Sequence, residues 1–375
     1  MTDQKQERDK FMNVLDEFDY LIHLVGCTLN GTQPQELPSG MDFANIFKLA
    51  KQHEIANLAF YSIDKLKNKP EPSLYEKWSA VAQLCFTRDI NQQFAHDEII
   101  REFKKANIRS LEAQGTIVKK YYTESYYRTM SDIDLLIDQC NFSKAETVLQ
   151  NLGYTLSYPF PNEVHAFRRP NIHIEIHCKL MNHEIFKGFL DNAFDVSHTD
   201  DGLCYLFDDN DFYLYNLFHL IKHYLNTGCG IRRICDIFIL NRALSDKLDS
   251  NYINEECDKY GVRDLAEKVL RLSNVWFGND EMTSDLNEVA QQIKDSGTHG
   301  NRIVGLRNEL RKNAGKSKFG FVLRRVFPKC SEMYTIYPKL QNRKILIPLY
   351  YLYRPFHLII FKRKATIIKL KEIMK

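Results

Sequence analysis

Apolar and polar positions along this chain of 375 residues change period more than once. In the first hundred residues the spacing is helical. The segment Phe43–His53 carries apolar residues on one side and predicts an amphipathic helix, while Pro70 and Pro72 punctuate the stretch after the next helix. A long charged helix is expected to follow, ending near Asn107.

From Ile108 the period shortens. Ile108 to Ala113 reads as a strand, Gln114-Gly115-Thr116 as a turn, and Ile117 to Tyr122 as a helix. The run from Arg128 to Ile137 (RTMSDIDLLI) reads as a buried strand, with Asp132 and Asp134 on one face and Ser131, Ile133, Leu135 and Ile137 on the other. A helix over Phe142–Leu152 stops at Gly153, and an extended stretch with Pro159, Pro161 and His165 follows. Asn171–Cys178 then alternates strictly, which predicts a strand whose polar face carries His173, Glu175 and His177. Strand, helix, strand, helix, strand predicts an α+β (mixed) core over residues 108–210, a small mixed β-sheet with helices on one side. A helical region, 1–107, precedes it. Helical periodicity returns over 211–312, and 313–375 is a basic, aromatic segment.

The candidate chemistry lies in the strands. Two carboxylates side by side repel each other and cost desolvation energy, so an interior site normally holds them with a cation. Asp-x-Asp also occurs at strand ends, where both acids are solvated, and alone it does not establish catalysis. Glu175 changes the picture, because a neighbouring strand would bring a third carboxylate to the same place. Oxygen ligands favour Mg²⁺ or Mn²⁺, and three acids suit two ions roughly 3.5–4 Å apart across a phosphoryl group. Upstream, Gly115 and Thr116 at a helix start would make a phosphate cradle. His219 and His223 sit one helical turn apart; zinc would need a third ligand, none is evident, and a polar ridge facing the site is the better reading. Arg232 and Arg233 would reach a triphosphate or anionic acceptor, or start a helix paired with Asp236; both readings stand.

Composition adds limits. With 44% hydrophobic residues, 26% charged residues and a formal net charge of +3, no global basic field calls for a nucleic-acid partner. Nine cysteines without a CxxC pair, and a start without a signal-peptide pattern, predict reduced thiols in the cytoplasm. Near the end, Ile345–Phe361 approaches the length of a membrane span, but Arg354, His357 and two prolines oppose one. Packing on the protein's own helices is the favoured reading there, with a peripheral contact on anionic headgroups as its competitor.

Taken together, the chain resembles the uncharacterised nucleotidyltransferase family of bacterial proteins within the DNA polymerase β-like nucleotidyltransferase superfamily. The resemblance rests on Arg-x-Met-Ser-Asp-Ile-Asp-Leu-Leu-Ile at 128–137. Support comes from Ile174-Glu175-Ile176-His177 with His165 upstream, from His219 and His223 with Arg232 and Asp236, and from Leu49-Ala50 with His53. It implies transfer of a nucleoside monophosphate from a nucleoside triphosphate to an acceptor hydroxyl, with release of pyrophosphate. Asp132, Asp134 and Glu175 would be catalytic and hold Mg²⁺ or Mn²⁺, and Gly115, Thr116, Arg128, Ser131 and Arg232 would bind the nucleotide. His165, His177, His219, His223 and Asp236 would form an acceptor or structural polar ridge. The acceptor, whether small molecule, sugar, lipid or protein, is left open; nucleic acid is not expected. One departure is visible: the family tends to have lysine directly before the glycine, where this chain has Gln114. Lys119, Lys120, Arg128 or Arg232 would then have to supply the charge. A catalytically weak nucleotide-binding adaptor with a membrane-surface C-terminal segment is the alternative.

Overall fold

The computed structural model describes residues 16–160, 163–168, 172–181, 183–298, 300–313, 317–337, 340, 344–360 and 372–373. The chain divides into two compact units, one holding 1–224 and 229–299, the other 225–228 and 300–375.

In the first unit, helices α1 (Glu17–Asn30), α2 (Phe43–Gln52), α3 (Ala56–Ile63) and α4 (Pro72–Lys105) precede the sheet. Local chemistry sets their ends. Asp16 caps α1 through the N–H groups of Phe18 and Asp19, and Gly31 closes it in the left-handed region at φ 68°. Pro72 opens α4, where its missing N–H costs nothing. At the other end Asn107 takes φ 51°, the conformation expected of a terminator there.

Seven strands form one mixed sheet: β1 (Ser110–Glu112), β2 (Ile133–Ile137), β3 (Thr155–Phe160), β4 (Glu163–Arg168), β5 (Ile172–His177), β6 (Ser197–His198) and β7 (Cys204–Phe207), in the order β3-β4-β5-β2-β1-β7-β6. The fold is therefore α+β, as the residue pattern predicts. Strand β2 runs parallel to β5 and antiparallel to β1, and β4 runs antiparallel to both β3 and β5. The stretch containing Pro159 is thus one arm of a hairpin. A short helix, α5 (Gly115–Val118), follows β1, and α6 (Phe142–Asn151) follows β2. One face of the sheet is apolar: Ile133, Leu135 and Ile137 of β2, Val164 and Ala166 of β4, and Ile172, Ile174 and Ile176 of β5 pack with Ala95, Ile99 and Phe103 of α4 and Ala145 and Leu149 of α6. Sixteen buried residues share this core, which fixes the strand register, because a one-residue slip would send every isoleucine to the opposite face.

Helices α7 (Asp209–Leu225), α8 (Ile231–Leu244), α9 (Ser250–Lys259), α10 (Arg263–Phe277) and α11 (Asn287–Ser296) follow the sheet. The start of α8 is held from a distance: its Ile231 N–H donates to Nδ1 of the fully buried His53, at 3.3 Å. Gly230 just before it has no room for a side chain, since a Cβ would lie 2.8 Å from the Thr298 backbone. In the second unit lie α12 (Arg302–Lys312), α13 (Lys318–Val326), α14 (Cys330–Ile336) and α15 (Ile347–Ile360). The break falls at Gly300, so α12 groups with the basic segment rather than with the helices before it. Among the described residues no helix is long and apolar enough to cross a membrane.

Candidate active site

The face of the sheet opposite the isoleucines is polar in rows. Asp134 pairs with Glu175 across β2 and β5, and Glu175 pairs with His165 across β5 and β4. In the next row Leu136, His177 and Glu163 line up, and His173 lies opposite Phe167 with their rings stacked at 4.3 Å. Strand alternation therefore brings side chains from three strands into one cluster. Glu175 is its centre: Nε2 of His165, of His173 and of His177 each lies 3.5 Å from one of its oxygens. His177 Nε2 also meets Asp134 Oδ1 at 3.1 Å, and His165 Nε2 meets Glu163 Oε1 at 2.7 Å.

Charge on this face is unbalanced. Asp132 stands immediately before β2, half-buried, and its carboxyl is pushed up to about 7 by burial and by the charges of Asp134 and Glu175, against the pull of Arg232 and Arg128. For His177 burial disfavours the charged ring, but hydrogen bonds to Asp134 and Glu175 outweigh it and lift its pKa to about 10. The imidazolium thus balances the acids, and a metal bound through His177 would have to displace that proton. Asp134, Glu175 and His177 bring ligand atoms within 4.8 Å of one another, and so do His165, His173 and Glu175. That donor set suits a divalent metal, and mixed oxygen and imidazole ligands suit Mn²⁺ or another transition ion as well as Mg²⁺. Asp132 is in neither trio; its link to the cluster is electrostatic.

Opposite charge gathers on α7 and α8. Arg233 Nη1 donates to Nδ1 of His219 at 3.0 Å, and His219 and His223 meet through their Nε2 atoms at 3.1 Å. Burial and the neighbouring Arg233 hold both rings neutral, with His223 driven down to about 2 and His219 well below its usual value. Lys222 falls to about 8, first through burial and then through Arg233, while the charges of Asp134 and Glu163 pull the other way. Lys222 therefore lies between the cationic and acidic sides. Gln114 Nε2 contacts His219 Nδ1, which places the turn before Gly115 against this cationic wall.

Other expected residues are engaged differently. Arg128 and Asp236, both largely buried, form a two-pronged ion pair, Nε to Oδ1 at 3.2 Å and Nη2 to Oδ2 at 3.0 Å, and Tyr122 donates to Asp236 at 2.8 Å. Lys119 is buried against Asp89 at 3.0 Å. Arg232 donates to the Thr129 carbonyl at 2.9 Å and pairs with Glu54 at 3.3 Å, which fixes the chain entering the Asp132 segment. Of the four residues expected to replace the missing lysine, these three already have partners, and Lys120 is exposed. Gly115 packs under Arg128 and Met130, and a Cβ there would lie 2.6 Å from Arg128 Nη1. Thr116 is buried beside it. Exposed Ser131 lies between two openings: a cavity of about 330 Å³ walled by Lys51, Glu54, Arg88, Thr129 and Arg232, and a wider one of about 760 Å³ by Arg168 and His173.

Among the described residues His219 and His223 belong to neither ligand trio. The residue pattern does not mark Glu163 or Lys222 as part of the site. For Glu163 the signal was available, since it shares the parity of His165 on one strand; for Lys222 it was not, because one lysine on a helix looks solvated until α7 is buried.

A model of the family described as uncharacterised nucleotidyltransferase matches residues 39–278. The chain belongs to this family. The match runs from α2 to the end of α10 and contains every group of the acidic cluster and of the cationic wall. No curated protein and no solved structure matches the chain. Membership of the nucleotidyltransferase family makes transferase chemistry the frame for the site.

Proposed function

We propose that this nucleotidyltransferase is a metal-dependent enzyme that moves a nucleoside monophosphate from a triphosphate to an acceptor hydroxyl. The observation that carries the reading is the polarity of the site: Asp134 and Glu175 on the sheet and Asp132 just before β2, with Lys222 of α7 coupled both to Asp134 and to Arg233 of α8. A triphosphate needs both, acids to share a cation with it and fixed cations to bind its outer phosphates. Asp134, Glu175 and His177 would hold a divalent ion, with Asp132 close by; when bound, such an ion neutralises phosphate charge and lowers the pKa of the acceptor hydroxyl. Protein groups do the rest. Arg233 and Lys222 bind the β- and γ-phosphates, and take over the charge that lysine before the glycine would bring. Glu175 accepts the acceptor's proton on Oε1, the oxygen that faces His165 and His173, and passes it outward through those rings. The acceptor oxygen forms its bond to the α-phosphorus while the bond to the bridging oxygen breaks, and pyrophosphate leaves with the electron pair.

The test is pyrophosphate release with Mg²⁺ or Mn²⁺ across a panel of triphosphates and acceptors, comparing wild type with Asp132→Asn/Asp134→Asn. Loss in the double variant is expected. Activity that survives it would refute the site. Gln114 favours the adaptor reading, in which calorimetry finds triphosphate binding that is not followed by turnover with any acceptor.

A further inference from the structure

The second unit contains a helix with its amphipathicity reversed. On α15 the residues Leu349, Leu352, Tyr353, Phe356 and Ile360 are 60%, 69%, 44%, 64% and 64% exposed. At helical spacing they fall within an arc of about 100°, one continuous apolar face. Ile345 just before the helix extends it and is 90% exposed. The opposite side holds the helix to its own unit: Tyr351 donates to the Pro328 carbonyl, and Arg354 donates to the carbonyls of Val326 and Arg325 at 3.0 and 3.1 Å, closing the end of α13. A helix docked through a tyrosine and an arginine, with leucine, phenylalanine and isoleucine turned outward, is the inverse of the usual arrangement. Leu323 and Phe327 on and after α13 are exposed as well, at 47% and 43%.

Charge says what covers this face. Residues 300–375 hold 19 lysines and arginines against three acids, although the whole chain is only +3. Two of those acids are already paired, Glu309 with Arg325 and Glu372 with Arg307. A second copy of the chain would bring two such basic segments together. Nucleic acid would satisfy the charge and leave the aliphatic stripe in water. An anionic bilayer surface satisfies both, taking the apolar side chains below the headgroups and the lysines and arginines at the phosphates. At about 21 Å, 14 residues are too short to span but long enough to lie in the interface.

We propose that the apolar face of α15, together with the basic charge of the segment that carries it, docks this protein onto an anionic lipid surface. Internal packing of this segment holds for the side that carries Tyr351 and Arg354.

Full-length protein is sedimented with vesicles of phosphatidylcholine alone or mixed with phosphatidylserine. Binding at least about tenfold stronger to the mixed vesicles, and weakened by salt, is expected. Leu352→Glu/Phe356→Glu, two exposed positions, is expected to abolish it and to leave the thermal midpoint unchanged. Equal binding to neutral vesicles, no binding to either, or a double variant that still binds would overturn the proposal. So would a wild-type dimer that the variant dissolves without any vesicle binding, which gives the face to a second copy, or salt-sensitive binding to RNA alone. The lipid and salt dependence of the wild type decides the charge component without any variant.

Discussion

The pair Arg128 and Asp236 offers a sharp test of how the site is held, because it ties the segment leading into β2 to α8. Their side chains are 8% and 7% exposed, and Asp236 also accepts the Tyr122 hydroxyl. Asp236→Ala leaves a guanidinium and a phenol buried without their acceptor. Removing one partner of a buried ion pair costs about 3–5 kcal/mol, whereas Tyr122→Phe, which leaves the pair intact, is expected to cost only about 1 kcal/mol. Both tryptophans, Trp78 and Trp276, lie in the first unit, so urea unfolding followed by tryptophan fluorescence reads that unit directly. With a slope of about 3 kcal/mol per molar urea, the midpoint of Asp236→Ala should fall by more than about 1 M. Its loss of activity should follow its loss of fold, with the triphosphate KM unchanged at temperatures where it remains folded. A midpoint within about 0.3 M of wild type would refute the structural role and return Arg128 to the nucleotide.

Three further outcomes are expected. His53 is buried, and burial lowers its pKa to about 4, so its contribution is fully present above the unfolded value near 6.5 and is lost as pH falls toward 4; the difference between wild type and His53→Asn in unfolding free energy should change by about 3 kcal/mol across that window, and a pH-independent difference would contradict the burial account. Gly115→Ala should cost about 1–3 kcal/mol in urea unfolding, because Arg128 and Met130 must give way, and an unchanged midpoint would show that the turn has slack. Arg233→Ala should raise the triphosphate KM about tenfold with a smaller effect on kcat, while Gln114→Lys should not lower KM, since its ammonium would face Arg233; a lower KM in Gln114→Lys would mean the cationic wall does not replace the lysine.

Parts of this site are legible in the sequence for a physical reason. Alternation over 172–177 is strict because one face of β5 is sealed by the isoleucine core, and His173, Glu175 and His177 follow from parity alone. Gly153, at φ 81°, and Asn107 end their helices where the pattern places the ends. The Asp132 to Ile137 run is a strand only from Ile133, so Asp132 belongs to the approach and not to the ladder. Strands β6 and β7, two and four residues long, left no alternation to read, and β7 joins β1 as a parallel neighbour far away in sequence. Least legible are long-range pairings. Nothing local to Arg128 says that its partner lies 108 residues on, or that His53 holds the start of α8 from 178 residues away. The lysine missing before Gly115 is a gap in the sequence, but in space Gln114 and Arg233 both reach Nδ1 of His219.

The most direct measurement follows two labels. The protein is incubated with Mg²⁺ or Mn²⁺, a metabolite extract as acceptor source, and a triphosphate labelled at either the α- or the γ-phosphorus. Nucleotidyl transfer predicts that the α-label moves to a new product while the γ-label leaves in pyrophosphate, and that both changes vanish in Asp132→Asn/Asp134→Asn. A γ-label carried to the product, or transfer undiminished in the double variant, would contradict the account.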